Sequence, residues 1–122
     1  MNIYDCFMYF DEDMLLDLRL NILNKYVKKF VITESTYLHS GNKKKLNLDI
    51  KNFSQFKDKI EYIVVDEPPK GIEKIKEEDS IEVKNKKILD NSLKRENNQR
   101  NMQAQGLKNA DDNDLVLLSD LD

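Results

Sequence analysis

Four short apolar segments, each suited to a buried β-strand, recur along the chain between stretches of helical or mixed polar pattern. They occupy residues 2–10, 29–34, 60–65 and 114–119. Each is rich in aromatic, β-branched or leucine residues and lacks a strict alternation with polar side chains, which is typical of strands buried on both faces. Strands of this kind that alternate with helices predict an α/β fold with a mainly parallel sheet.

Helical patterns connect the first three of these segments. Residues 11–24 carry leucines at helical spacing, with Asp11 or Asp13 placed to cap the first turn. Residues 52–59 predict a short helix with two phenylalanines on one side. These connections are the crossovers that neighbouring parallel strands require.

The longest helical pattern covers residues 88–110, and its apolar stripe consists of Leu89, Leu93, Ala104 and Leu107. The preceding residues, 70–87, carry many charges of both signs and few apolar side chains, so we expect a solvated, flexible loop or a frayed helix there. Right-handed crossovers after the first two strands, and a return of the chain through the long helix, predict the strand order 3-2-1-4.

Composition excludes several classes of protein. With 122 residues, the chain is long enough for one small domain. A net charge of −3 argues against a broad surface for nucleic acid, and a single cysteine excludes an intrachain disulfide. No apolar run approaches the roughly 20 residues that span a bilayer. The N-terminus has no basic region followed by an apolar stretch, so we expect no secretory signal and a cytoplasmic protein.

The clearest candidate for chemistry is the tetrapeptide at residues 119–122, Ser-Asp-Leu-Asp, directly after the fourth predicted strand. Ligands of open α/β sheets bind beyond the carboxyl ends of the strands. Side chains two positions apart on an extended segment face the same way, so Asp120 and Asp122 can direct two carboxylates at one point. Such oxygens suit a hard cation, Mn²⁺ or Mg²⁺. Alone, an Asp-x-Asp triplet is weak evidence, because it arises easily in so acidic a chain.

Arg100 falls on the stripe of the long helix. An arginine in that position must be paired or must reach a cavity or a ligand, because an unpaired buried charge is costly. Glu96 lies four residues earlier, the favourable order for an ion pair within a helix. The sequence leaves two interpretations open: a Glu96–Arg100 pair at the helix edge, or a guanidinium that binds a phosphate through two hydrogen bonds.

Glu34 ends the second predicted strand. A carboxylate there can accept hydrogen bonds from ribose or sugar hydroxyls, or it can cap a turn, and spacing does not separate the two. Cys6 lies within an apolar strand, where a small buried side chain is expected. His39 lies in a polar loop, and no serine or cysteine is placed to form a triad with it. The sequence contains no glycine-rich phosphate loop.

A set of segments matches one known family in order and spacing across nearly the whole chain, except over residues 70–87. The segments are residues 4–10, 15–23, 30–36, 40–41, 95–96, 99–101, 106–107 and 114–122. Together they resemble glycosyltransferase family 17. The resemblance implies a Rossmann-like GT-A fold and the transfer of a sugar, expected to be N-acetylglucosamine, from a UDP-sugar to a glycan acceptor with inversion at the sugar carbon.

The resemblance also implies roles for individual residues. Asp120 and Asp122 would bind Mn²⁺ or Mg²⁺ at the donor site. Arg100 and Asn101 would lie beside the donor nucleotide or diphosphate, and Glu34 would lie at the nucleotide end of the sheet. Family members continue beyond the second aspartate. Residues 1–122 would therefore form a single partial domain that binds the donor, with the catalytic base beyond it and little transfer by this chain alone.

Two further hypotheses stay open at this point. One is a non-catalytic nucleotide-sugar-binding or structural remnant of such an enzyme. The other is an unrelated α/β domain with an acidic, metal-binding strand end. A receiver-like phosphoacceptor domain is a poor example of the latter, because its acidic pair belongs nearer the first strand.

Overall fold

Four parallel strands form one sheet in the computed structural model, which describes residues 1–121. The strands are β1 (Ile3–Met8), β2 (Lys29–Ser35), β3 (Ile60–Val65) and β4 (Leu115–Leu118). Their order is β3-β2-β1-β4, and every pairing among them is parallel. The predicted fold class and strand order are therefore confirmed.

Helical elements cover both faces of this sheet. They are α1 (Asp13–Leu23), a first 3₁₀ segment (Ile50–Lys59), α2 (Ile81–Asn101) and a second 3₁₀ segment (Met102–Leu107). On one face, Leu16 and Leu20 of α1 and two phenylalanines of the first 3₁₀ segment pack against Phe7, Phe30 and Ile32. On the other face, the second 3₁₀ segment packs against Cys6 and Val31. None of the helices within residues 1–121 is both long enough and apolar enough to cross a membrane.

The start of α2 differs from the prediction. Ser80 caps the first turn by accepting a hydrogen bond from the backbone N–H of Val83, so the helix begins at Ile81. Residues 81–87, for which the charge pattern left a flexible loop or a frayed helix open, are therefore helical. The flexibility predicted for the rest of that segment stays a prediction.

The apolar stripe predicted for α2 is not its buried face. Leu89 is 60% exposed and Leu93 is 47% exposed, whereas Asn91 and Gln99 are buried. Both amides are buried because they satisfy backbone groups: Asn91 binds the N–H and the carbonyl of Glu73, and Gln99 donates to the carbonyl of Thr33. The hydrophobic pattern does not record such bonds, and this is why it assigned the wrong face.

β4 forms one edge of the sheet and carries the chain to the carboxyl end of β1. Its start is fixed by Asp114, whose Oδ1 accepts a hydrogen bond from the backbone N–H of Asn2 at 2.8 Å. Just beyond the strand, the N–H of Ser119 donates to the carbonyl of Cys6. The four side chains of β4 are between 39% and 61% exposed. This strand therefore buries little apolar surface. Its main structural consequence is that it places residues 119–121 at the carboxyl end of β1.

Candidate functional site

A cavity of about 290 Å³ lies at the carboxyl ends of β1, β2 and β4. Its walls come from four groups of residues: the end of β1 with the residues that follow it, the end of β2 with the loop after it (residues 36–44), Gln99 of α2, and residues 120–121 after β4. The lining residues of the first two groups are Met8, Tyr9, Phe10, Glu12, Ser35, Tyr37, Leu38, His39 and Lys44. In parallel α/β sheets, ligands bind at this end of the strands. The residues that the sequence predicts to bind a ligand are therefore expected around this cavity.

Asp120 and Arg100 meet at this end of the sheet. The side chain of Asp120 is 65% exposed, and its Oδ1 lies 3.7 Å from Nη2 of Arg100. The same nitrogen of Arg100 donates a hydrogen bond to Oε1 of Glu96 at 3.0 Å. The ion pair within the helix is therefore present together with the approach to Asp120, and the binding of a phosphate by Arg100 stays a prediction.

Glu34 lies beneath the cavity and is fully buried. Its carboxylate accepts four hydrogen bonds, from Nζ of Lys44 at 2.7 Å, the hydroxyl of Tyr62 at 2.6 Å, and the backbone N–H groups of Asn47 and Leu48. Burial and then the bond to Glu34 raise the pKa of Tyr62 above its ordinary value. Because these donors occupy both carboxylate oxygens, Glu34 holds the loop after β2 in place. Direct contact between Glu34 and the nucleotide of a UDP-sugar stays a prediction.

Neither Arg100 nor Asn101 is among the residues that line the cavity. Asn101 is the last residue of α2, is exposed, and does not line the cavity. Asp122 lies outside the described residues. Their roles beside the nucleotide and the metal therefore stay predictions.

The described residues fit a hard divalent cation through Asp120. Within residues 1–121, no group of three or more His, Cys, Asp or Glu side chains is gathered to hold a metal ion. A closed protein cage is not required, however, because Mg²⁺ is commonly held by one or two carboxylates together with substrate phosphates. The exposed Asp120 carboxylate at the cavity rim provides such a ligand.

Comparison with protein families decides which class of α/β protein this is. The model of glycosyltransferase family 17 matches residues 1–122. The chain belongs to glycosyltransferase family 17. No curated protein and no solved structure matches it. Membership of family 17 assigns the chain to glycosyl transfer in general and confirms the family that the sequence segments resemble.

The loop after β2 gives this family 17 chain three cavity-lining residues that sequence reasoning did not select: Tyr37, His39 and Lys44. Since Nε2 of Gln99 donates to a backbone carbonyl, its Oε1 accepts from Nε2 of His39 at 3.1 Å. Arg95 donates from Nη1 to the carbonyl oxygen of His39 at 3.0 Å. The available signal was the position of the loop, directly after the carboxyl end of a predicted parallel strand.

Arg19 of α1 also reaches this end of the family 17 sheet. Its Nε and Nη2 donate to the two carboxylate oxygens of Asp5, at 2.8 and 2.7 Å. Its Nη1 donates to the carbonyl oxygen of Asp120 at 2.8 Å, and Nη2 donates to the hydroxyl of Ser119 at 2.5 Å. The guanidinium lies over the ring of Phe7, 4.4 Å from its centroid. Sequence reasoning missed Arg19, although it lies among the leucines of an amphipathic helix as Arg100 does.

Proposed function

We propose that this chain binds the UDP-sugar donor of a family 17 glycosyltransferase in the cavity at the carboxyl ends of β1, β2 and β4. The observation that carries the proposal is the approach of Arg100 to Asp120: Nη2 of Arg100, which does not itself line the cavity, lies 3.7 Å from Oδ1 of the cavity-lining Asp120. A guanidinium binds phosphate oxygens through paired hydrogen bonds, and a carboxylate binds a cation that bridges to the same phosphates. The two groups together suit a diphosphate.

Asp120, with Asp122 as a second ligand, would hold Mn²⁺ or Mg²⁺. When bound, the cation supplies positive charge that stabilises the diphosphate as it leaves the sugar. Arg100 adds a second positive group beside Asp120, and Asn101 follows it at the end of the same helix. The chain therefore presents charge of both signs at one point.

The nucleoside end of the donor would lie against the loop after β2. Tyr37 and His39 line that side of the cavity with planar rings, against which a base can stack. Glu34 keeps the loop in place from below through its bonds to the backbone of Asn47 and Leu48. In this proposal Glu34 acts on the donor through the loop.

We further propose N-acetylglucosamine as the sugar, a glycan as the acceptor, and inversion at the sugar carbon, as the resemblance implies. Two carboxylates line the described cavity, those of Glu12 and Asp120. Glu12 accepts hydrogen bonds from the backbone N–H groups of Phe10 and Asp11 through Oε1, and Asp120 is assigned to the cation. We assign no general base among the described residues, and we propose that this chain binds the donor without appreciable sugar transfer by itself.

Calorimetric titration tests the proposal. UDP, UDP-N-acetylglucosamine and GDP are titrated with and without Mn²⁺, on the parent chain, on Asp120→Asn and on Arg100→Ala. Asp112→Asn is the matched control, since it removes an exposed carboxylate in the turn before β4. We expect UDP binding that Mn²⁺ strengthens and that both site substitutions weaken, with no change in the control. Binding that ignores the metal and the substitutions contradicts this site, and absence of binding favours a structural remnant.

A further inference from the structure

The guanidinium of Arg19 joins three parts of the chain that are distant in sequence. It belongs to α1, it is anchored on Asp5 of β1, and it donates to Ser119 and Asp120 after β4. The planar arginine fork makes this possible, because its nitrogens point in different directions from one rigid group. A lysine has a single nitrogen and cannot reproduce these contacts.

The contact with Asp120 is made to the backbone and not to the carboxylate. Arg19 donates to the carbonyl oxygen of Asp120, whereas the carboxylate of Asp120 is 65% exposed at the cavity rim. A residue held by its carbonyl has a fixed main chain, while its side chain stays available for a ligand. Arg19 therefore fixes the main chain from which the Asp120 side chain projects, and it does not pair with the Asp120 carboxylate.

The Asp5–Arg19 pair is poorly explained as a device for stability alone. Asp5 is fully buried, and the side chain of Arg19 is only 14% exposed. Taking two charges out of water largely offsets their attraction, so a buried pair is often no more stabilising than apolar residues of similar volume. What this pair adds is a fixed geometry between β1, α1 and the segment after β4.

We propose that Arg19 is a positioning residue for the cation and donor site. Anchored by Asp5, it holds the main chain at Ser119 and Asp120, so that the Asp120 carboxylate is already placed when a cation and a diphosphate arrive. Without it, binding must also order this segment, and that ordering opposes association. This inference rests on the proposed function, because it assigns Asp120 to the cation.

Arg19→Lys and Ser119→Ala test the inference with folded proteins. Arg19→Lys keeps a positive charge beside buried Asp5 but gives up the fork that reaches residues 119 and 120. Ser119→Ala removes one contact with Arg19 and leaves the Asp5–Arg19 pair intact. Lys87→Met is the matched control: it breaks a partly buried ion pair with Asp79 at 2.7 Å, far along α2 from the cavity.

The measured quantity is the ratio of UDP affinity with Mn²⁺ to UDP affinity without it. The electron paramagnetic resonance signal of Mn²⁺ reports metal binding directly, and the melting temperature reports stability. We expect Arg19→Lys to lower the ratio by about tenfold, the size of effect seen when a partner that orients a metal ligand is removed. Ser119→Ala lowers the ratio less, and UDP affinity without metal stays unchanged in both variants. Lys87→Met lowers the melting temperature and leaves the ratio as in the parent.

The outcomes separate this inference from the proposed function. If the parent chain binds UDP without help from Mn²⁺, the proposed function fails and takes the inference with it. If Mn²⁺ strengthens binding to the parent and Arg19→Lys keeps the parental ratio, the proposed function stands and the positioning role of Arg19 is overturned. If Arg19→Lys lowers the melting temperature but leaves the affinity ratio unchanged, the positioning role is likewise overturned, because Arg19 then has only a structural role.

Discussion

Gly106 lies so close to Val31 that a methyl group on Gly106 would stand 2.5 Å from Cγ1 of Val31. Val31 is fully buried on β2, and Gly106 belongs to the second 3₁₀ segment. The missing side chain at position 106 is what lets this segment settle on the sheet. The close approach also explains physically why a glycine stands in a helical stretch, where glycine is otherwise unfavourable.

Gly106→Ala tests this contact. In most helical positions the change from glycine to alanine stabilises, by roughly 0.5–1 kcal/mol. Here we expect the opposite, a loss of about 1–3 kcal/mol, because the new methyl group overpacks against a buried side chain. Urea denaturation measures the free energy of unfolding, with Gln105→Ala at the neighbouring exposed position as the control. A stabilised Gly106→Ala variant would contradict the packing described here.

Glu34→Ala is expected to destabilise the fold strongly. The substitution leaves the ammonium of Lys44 nearly buried without its counter-charge and removes the acceptor for Tyr62. Removal of one partner from a buried pair typically costs about 3–5 kcal/mol. Chemical denaturation gives the free energy, and limited proteolysis should cut first within the loop after β2. Glu61→Ala, on an exposed position of β3, should change little in either measurement.

Cys6 should resist alkylation in the folded protein. Its side chain is fully buried, and burial, followed by the nearby charge of Asp5, raises the pKa of its thiol to about 11. At pH 8 the thiol of Cys6 is mostly protonated and the reagent cannot reach it, so reaction with iodoacetamide should follow unfolding. The rate is measured by mass spectrometry with and without urea. Rapid alkylation without denaturant would show that the first strand opens readily.

Asp114→Ala should weaken the protein at neutral pH more than at acid pH. Hydrogen bonds from the backbone N–H of Asp111, and then from that of Asn2, hold the pKa of the Asp114 carboxyl below its ordinary value. Because folding lowers the pKa of Asp114, its charged carboxylate stabilises the folded protein at pH values above the ordinary pKa of an aspartate, near 3.9. This stabilisation is lost as the pH falls through the lower value in the folded state.

Melting temperatures of the parent and of Asp114→Ala between pH 2 and pH 7 measure this effect. The difference between the two proteins should be largest at pH 7 and should shrink in acid. Asp112→Ala, in the same turn and exposed, provides the baseline. A difference that is constant across the range would mean that the charge of Asp114 contributes nothing.

The sheet could be predicted from the sequence because the pattern that specifies each strand lies within a few adjacent residues and recurs four times. Each strand is an apolar run, and right-handed crossovers leave few possible orders. The first helix shows the limit of this reasoning: Leu16 and Leu20 are buried, whereas Leu18 and Ile22 of the neighbouring stripe are exposed. Periodicity finds an amphipathic helix, but the choice between adjacent stripes is made by the sheet beneath it.

The candidate site could be predicted only in part, because it depends on contacts between distant segments. Position after a strand was enough to select Asp120, and position on a helical stripe was enough to select Arg100, but the 3.7 Å distance between them comes from the structure. The burial of Glu34 depends on donors from a loop and from β3, which no local pattern reveals. The role of Arg19 depends on Asp5, fourteen residues earlier, and on Ser119, one hundred residues later.

The pairing of β4 with β1 joins groups 112 residues apart, the N–H of Asn2 and the carboxylate of Asp114. Closing so long a loop carries more entropy loss than the short crossovers among β1, β2 and β3, so we expect the three-stranded part to assemble first and β4 to dock last. Because residues 120–121 form one wall of the cavity, that last step would complete the cavity. If the cavity binds the donor as proposed, the apparent affinity falls with the fraction of molecules in which β4 is undocked. A ligand that bridges Asp120 to the other walls shifts that folding equilibrium toward the complete sheet.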